Sequence, residues 1–309
     1  MLLGEEPSGV PADAAAMPSG VPADAAAMPS GVPAAAAVMA RARHENFPVA
    51  SRVLPRRVRA DLLAIYGFAR LADELGDSAE GDRLTALDWL EAELDRAFAG
   101  AAEHPLLAGL QPTLRHRGLP RGPFARLIEA NRLDQRPSNY QTWGQLRGYC
   151  ALSADPVGEL VLGVLGMASP EAVALSDSIC TGLQLVEHCQ DVAEDLAAGR
   201  VYLPAEDLDR FGCTRGELAG AHASGALREV LAFEVARARS LLDAGAPLID
   251  ELHGRARIAV AAFVAGGRAA AEAIERAGFD VLGGAPRAGR WRLLRALAGT
   301  LIERRGRAR

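Results

Sequence analysis

From about residue 42 onward, apolar residues recur at intervals of three and four, the period of a helix that buries one face and wets the other. The pattern predicts helices over 58–76, 83–98, 104–117, 123–133, 143–167, 171–197, 224–243 and 255–277. In the first of these, Leu62, Ile65, Tyr66, Ala69, Leu71 and Ala72 supply a broad inward surface. Segments with turn chemistry, such as GLPRGP and RPSNYQ, separate the helices. Pro156 predicts a kink or a boundary within 143–167. A kink in a core helix frees backbone carbonyls and can line a cavity. No alternating strand pattern of any length interrupts the series, so the expected fold class is all-α.

Two regions break the pattern. At the start, an eleven-residue unit repeats as EPSGVPADAAA, MPSGVPADAAA and MPSGVPAAAAV. Repeated Pro and Gly with few large apolar residues cannot build a core, so residues 1–41 read as a low-complexity, disordered tail. At the far end, residues 287–309 hold eight arginines against the single acid Glu303, with Trp291, Leu293, Leu294, Leu297, Leu301 and Ile302 at helical spacing. Two readings stay open for this basic amphipathic segment, 285–309: an interfacial helix resting on anionic lipid, or a last helix packed on the core with a solvated basic end. Between these regions, residues 42–284 are expected to form one domain.

Composition narrows the class. A chain of 309 residues can bury a substantial core, and its low aromatic content of 5% alongside abundant Ala and Leu favours helix over strand. The net charge of −5 argues against general nucleic-acid binding. Cys150, Cys180, Cys189 and Cys213 show neither CxxC spacing nor the density of a disulfide scaffold, which predicts a reduced, cytoplasmic protein. His188 beside Cys189 lacks a second pair at metal-finger spacing and reads as an ordinary helix residue. MLLGEEPSG has no basic start or extended apolar run of a secretory signal. The longest apolar stretches, around 160–168 and 258–265, fall short of the roughly 18 residues of a membrane span.

The candidate chemistry lies in two acidic pairs, Asp73 with Asp77 and Asp191 with Asp195. Positions i and i+4 share a helix face, so each pair can present two hard oxygen ligands to Mg²⁺, an ion held largely through substrate phosphates. Spacing alone decides nothing, because 39 residues are acidic and Glu91 with Asp95 has the same interval on an expected solvated face. The neighbours set the two pairs apart. Tyr66 and Arg70 share a stripe with Asp73 and Asp77, while Arg200 and Tyr202 follow Asp195 by about one turn. An arginine fork suits phosphate oxygens. If both motifs face one cavity, their carboxylates would hold Mg²⁺ ions around a diphosphate leaving group.

The strings YGFARLADELGD and QDVAEDLAAGRVYLP, with GYCALSADPVG between them, resemble the signature segments of the squalene/phytoene synthase family. The resemblance runs from about His44 to about Gly283. It implies a single-domain isoprenoid synthase fold with a central apolar cavity, Mg²⁺, and a prenyl diphosphate substrate. Other enzymes of the squalene pathway are the implied partners, and the greasy substrate and product give the basic C-terminal segment a reason for peripheral contact at the inner face of the membrane. HENFPVAS, near the amino end, is most similar to the hydroxysqualene-forming branch of the bacterial hopanoid pathway. That branch ionises presqualene diphosphate, rearranges the cation and captures it with water.

Carried over by position, the resemblance assigns Asp73, Asp77, Asp191 and Asp195 to the metal, Arg70 to diphosphate and Asn46 to phosphate oxygens. It places Tyr66, Tyr149 and Gln184 around the reaction chamber, and Tyr149 and Glu187 are candidates for holding the attacking water. Gln190, Arg200 and Tyr202 are expected at the substrate. The chain also departs from the family pattern. Glu187 and Gln190 stand where condensing relatives have asparagine and arginine, and a tyrosine of the last core helix is missing near Ala259. The lost guanidinium suits a site for one diphosphate rather than two, unless another arginine replaces it. Condensation of two prenyl diphosphates is the alternative with the same fold, and a non-catalytic helical assembly protein is a second.

Overall fold

The computed structural model describes residues 28–41, 54–78, 81–136 and 139–307, apart from the side chains at 41, 290 and 305–307. Among them there is no strand, only an isolated parallel bridge between Asn139 and Val201. The first half comprises α1 (Ala35–Arg41), α2 (Arg56–Asp77), α3 (Arg83–Ala99), α4 (Pro105–Arg117), α5 (Arg121–Leu133), α6 (Trp143–Ser153) and α7 (Asp155–Leu165). The second comprises α8 (Pro170–Gln190), α9 (Val192–Ala197), α10 (Ala205–Arg210), α11 (Gly225–Gly245), α12 (Leu248–Glu251), α13 (Gly254–Arg276) and α14 (Arg290–Arg307).

Local chemistry sets the helix ends. Asp82 caps α3 by accepting from the Leu84 and Thr85 amides at 3.0 and 3.3 Å, and Gly100, at φ 83°, ends the helix in the left-handed conformation. Ser169 caps α8 through the Ala172 amide at 3.1 Å, with Pro170 in the first turn.

Three of the expected boundaries are redrawn. The 143–167 helix divides at Ala154 into α6 and α7, because Pro156 has no N–H to continue the ladder. Trp143–Leu165 is long and apolar enough in composition to cross a bilayer, yet it is two helices, packed against α5 and α8. The 171–197 helix breaks at Asp191, with α9 as a short continuation. The last residues of the low-complexity segment form α1, whose Val38 is buried against the core.

Two packed groups of helices carry the site. In one, Leu71 and Leu75 of α2 meet Leu87 and Leu90 of α3, Leu107 and Leu110 of α4, and Phe124 and Ile128 of α5. Phe68 and Phe124 meet edge to face at 5.0 Å. In the other, α8 and α11 pack through Leu185, Val186, Leu227, Val230 and Leu231. Gly182 makes that approach possible: a Cβ there would lie 3.0 Å from the Ala238 carbonyl oxygen.

The basic segment is a packed helix on one side. Leu297 and Leu301 of α14 sit against the core, Thr300 and Arg304 are buried, and Arg304 Nε donates to Asp250 at 2.8 Å. On the other side Trp291, Leu294 and Ile302 are 84%, 57% and 70% exposed.

Candidate active site

The last turn of α2 presents Asp73 and Asp77, while Leu71, Ala72 and Leu75 bury its opposite side. Asn131 of α5 reaches across to donate to Asp73 at 3.4 Å. This crossing requires glycine at 76, because a Cβ there would stand 2.4 Å from Asn131 Oδ1. Gln135 then ties the two helices by donating to the Gly76 carbonyl at 2.9 Å.

Asp191 ends α8 rather than sitting within a continuous helix, at φ −103° and ψ 17°. Its amide still donates to the Glu187 carbonyl at 2.9 Å, and its carbonyl accepts from the Asp195 amide at 2.8 Å. The i,i+4 relation of the second pair therefore survives the break. The chain next folds back so that the Arg200 amide donates to the Asp195 carbonyl at 2.8 Å. From there Arg200 Nη2 reaches Asp77 at 2.9 Å, joining the two acidic motifs.

A buried carboxylate organises the adjoining wall. Asp134, just past α5, accepts from the Tyr149 hydroxyl at 2.6 Å and the Tyr202 hydroxyl at 3.0 Å, with Arg200 Nη1 3.9 Å away. The Tyr202 ring stacks on His188 at 4.0 Å and on Tyr149 at 5.4 Å. Ser153 donates to the Gln184 amide oxygen at 2.9 Å. Burial raises Asp134 above the ordinary carboxylate value, against the two phenol hydrogen bonds and Arg200. It also pushes His188 down to about 3, so that imidazole is neutral.

These groups line one cavity of about 240 Å³. Among the described residues its walls hold six carboxylates, from Asp73, Asp77, Asp134, Glu187, Asp191 and Asp195, against one guanidinium, that of Arg200. Burial, then Asp191, pushes Asp195 up to about 7. Burial and Glu194 likewise raise Asp191, opposed by Arg287. Such a cleft would repel a bare polyphosphate and welcome cations. Among the described residues no three acidic, His or Cys side chains converge as a complete metal cage. Paired carboxylates across a cleft instead fit a hard divalent ion that keeps water and takes its other oxygens from a substrate phosphate.

Most of the site expected from sequence is brought together: Asp73, Asp77, Tyr149, Gln184, Glu187, Asp191, Asp195, Arg200 and Tyr202 all line the cavity. Tyr66, Arg70 and Gln190 do not. Arg70 pairs with Glu74 at 3.1 Å and lies 3.9 Å from Asp73. Gln190 donates to the Pro286 carbonyl, pinning the segment that brings Arg287 within electrostatic reach of Asp191. Asn46 lies outside the described residues. Sequence reasoning missed Asn131, Asp134, Ser153 and the cleft-facing His188. The one available signal was Asn131 with Asp134, polar residues three apart at the end of an amphipathic helix.

An all-helical chain with two acidic motifs facing one cleft defines an isoprenoid-synthase type of enzyme, and the squalene/phytoene synthase family profile matches residues 40–293. The chain belongs to that family, whose chemistry is the head-to-head joining of prenyl diphosphates and the reactions that follow it. Among its relatives, the hydroxysqualene synthase of Sinorhizobium fredii is 37% identical, over 68% of this chain and 72% of that one. The phytoene synthase of Arthrospira platensis is 31% identical, over 77% of this chain and 82% of its own. The crystal structure of squalene synthase HpnC from Alicyclobacillus acidocaldarius superposes with a TM-score of 0.75 at 44% identity, covering 79% of this chain and 93% of that one.

Proposed function

We propose that this enzyme converts presqualene diphosphate to hydroxysqualene and diphosphate, with Mg²⁺ as cofactor. The observation behind the cofactor is the charge of the cleft, six carboxylates to one guanidinium among the described residues, an excess that favours a diphosphate arriving with cations. Asp73, Asp77, Asp191 and Asp195 would hold the ions. When bound, Mg²⁺ supplies positive charge that stabilises the departing diphosphate.

The chain's own groups do the rest. Arg200, held by Asp77 between the motifs, offers its remaining N–H groups to a phosphate oxygen. The C–O bond to diphosphate breaks with its electron pair leaving on oxygen, and the cyclopropylcarbinyl cation rearranges. Water then bonds to carbon through oxygen and gives up a proton to the released diphosphate, the base that the ionisation itself supplies. The Tyr149 and Tyr202 phenols both donate to Asp134, leaving their oxygen lone pairs free to accept from that water. Asp134 thereby orients both phenols.

The hydroxysqualene reading is supported by the similarity to the Sinorhizobium enzyme. Condensation of two prenyl diphosphates draws on a separate observation: Arg287 returns a positive charge near Asp191. Incubating purified protein and Mg²⁺ with presqualene diphosphate, and separately with farnesyl diphosphate, distinguishes the two by mass spectrometry of the products. Hydroxysqualene from the first substrate alone is the expected result. Turnover of farnesyl diphosphate alone would overturn it.

A further inference from the structure

We propose that the outward face of α14 seats the enzyme on an anionic lipid surface, with the mouth of the cleft beside the contact. Trp291, Leu294, Ala298 and Ile302 fall at i, i+3, i+7 and i+11 and form one exposed apolar stripe. Arg292 and Arg295 are exposed alongside it, Arg295 being 76% exposed with Glu272 as its neighbour at 3.6 Å. The stripe is not an unfinished core face. The opposite side of the same helix already packs on α13 through Leu297 and Leu301, and is locked by Arg304 to Asp250 and by Arg268 to Thr300.

Charge selects the occupant. Residues 287–309 contain eight arginines and one acid, and that acid, Glu303, is held by Arg268 at 3.3 Å. A chain with net charge −5 thus carries eight arginines against one acid in the sequence segment that holds its most exposed tryptophan. A surface apolar at depth and negative at the headgroups complements such a face, with an indole at the boundary and guanidiniums on phosphate. Gln190 beside Asp191 holds the Pro286 carbonyl, and Trp291 lies five residues further on. That length of chain reaches at most about 18 Å, so the stripe begins close to the cleft mouth. A substrate with long hydrocarbon tails could pass between membrane and cleft without crossing bulk water. This last consequence rests on the proposed function, whereas the docking itself does not.

The test is flotation of the full chain with vesicles of phosphatidylcholine and of phosphatidylcholine mixed equally with phosphatidylglycerol. Binding to the mixed vesicles only is expected, lost in the triple variant Trp291→Ser, Leu294→Ser, Ile302→Ser and weakened about fivefold by each of Arg292→Gln and Arg295→Gln. All five positions are solvent-exposed, and circular dichroism checks that the fold is kept. Equal flotation of wild type and triple variant, or no flotation of either, would overturn the proposal. So would a wild-type dimer in analytical ultracentrifugation that the triple variant converts to monomer, since a second copy would then cover the face. Turnover of detergent-dispersed presqualene diphosphate should be unchanged in the triple variant and that of vesicle-embedded substrate reduced. Absence of turnover by wild type in both formats would count against the proposed function and leave the flotation result standing.

Discussion

Glu91 with Asp95 on α3 and Asp191 with Asp195 at the end of α8 share a four-residue interval, and the protein treats them in opposite ways. The α3 pair is met by resident cations: Arg121 binds Asp95 and Glu91, and Arg132 reaches Glu91 at 2.7 Å. Against the cost of its partial burial, those guanidiniums hold Glu91 below its ordinary value. The α8 pair lies deeper, beside other carboxylates, and both members are raised. Spacing places two carboxylates together; the cation supply decides whether they are a strut or a site. Where the fold meets both carboxylates with guanidiniums, the pair fastens α3 to α5, and where Arg200 and Arg287 leave the carboxylates in excess, further positive charge is expected to arrive with a ligand.

The largest effect expected from this contrast is on turnover. Asp73→Asn or Asp191→Asn should lower kcat by about 10³-fold or more with helicity intact. The double change Glu91→Gln, Asp95→Asn should leave kcat within about twofold, because exposed ion pairs contribute little. Equal losses in both sets, measured by product formation, would erase the distinction. Next comes Asp134→Asn, which weakens the acceptor for both phenols and should reduce kcat by about 10- to 100-fold, with KM little changed.

A third effect concerns pH in metal-free protein. Asp195, pushed up to about 7 from the ordinary 3.8, keeps its proton in the folded chain where the unfolded chain has lost it. Its contribution to stability is therefore full below the unfolded value and is lost as pH rises through about 7. Thermal melts without divalent cation should fall across that window, Asp195→Asn should flatten the slope, and Mg²⁺ should raise the melting temperature most at the alkaline end. A slope unchanged in the variant would remove Asp195 as its source. The smallest effect is that of Arg121→Ala, about 0.5–1 kcal/mol of stability by denaturant titration with no change in KM.

The helices were legible because burial of one face writes a period into the chain, and Pro156 announced the α6–α7 break. The break at Asp191 was not, since nothing in LVEHCQDVAED interrupts helical periodicity and the cause lies in the tertiary path toward Arg200. The carboxylate pairs stood out through their company. Asp134 did not, because its partners Tyr149 and Tyr202 are 15 and 68 residues away or more than one helix removed, a closure no local spacing encodes. Arg70 shows the opposite error: a stripe of residues spaced three and four apart is wide, and one edge can serve a neighbouring Glu74 while the other faces the cleft.

His188 gives the reaction wall a property that composition hides. A histidine stacked between a cleft and Tyr202 would ordinarily be able to take a proton, but its burial holds it neutral. Beside the carbocation of the proposed reaction, an imidazolium would add repulsion at the moment positive charge develops. A neutral imidazole in a stack with Tyr202, Tyr149 and Tyr140 offers electron-rich faces instead. Desolvation, usually counted as a cost, here acts as an insulator that keeps a titratable ring from competing with the substrate for the same sign of charge.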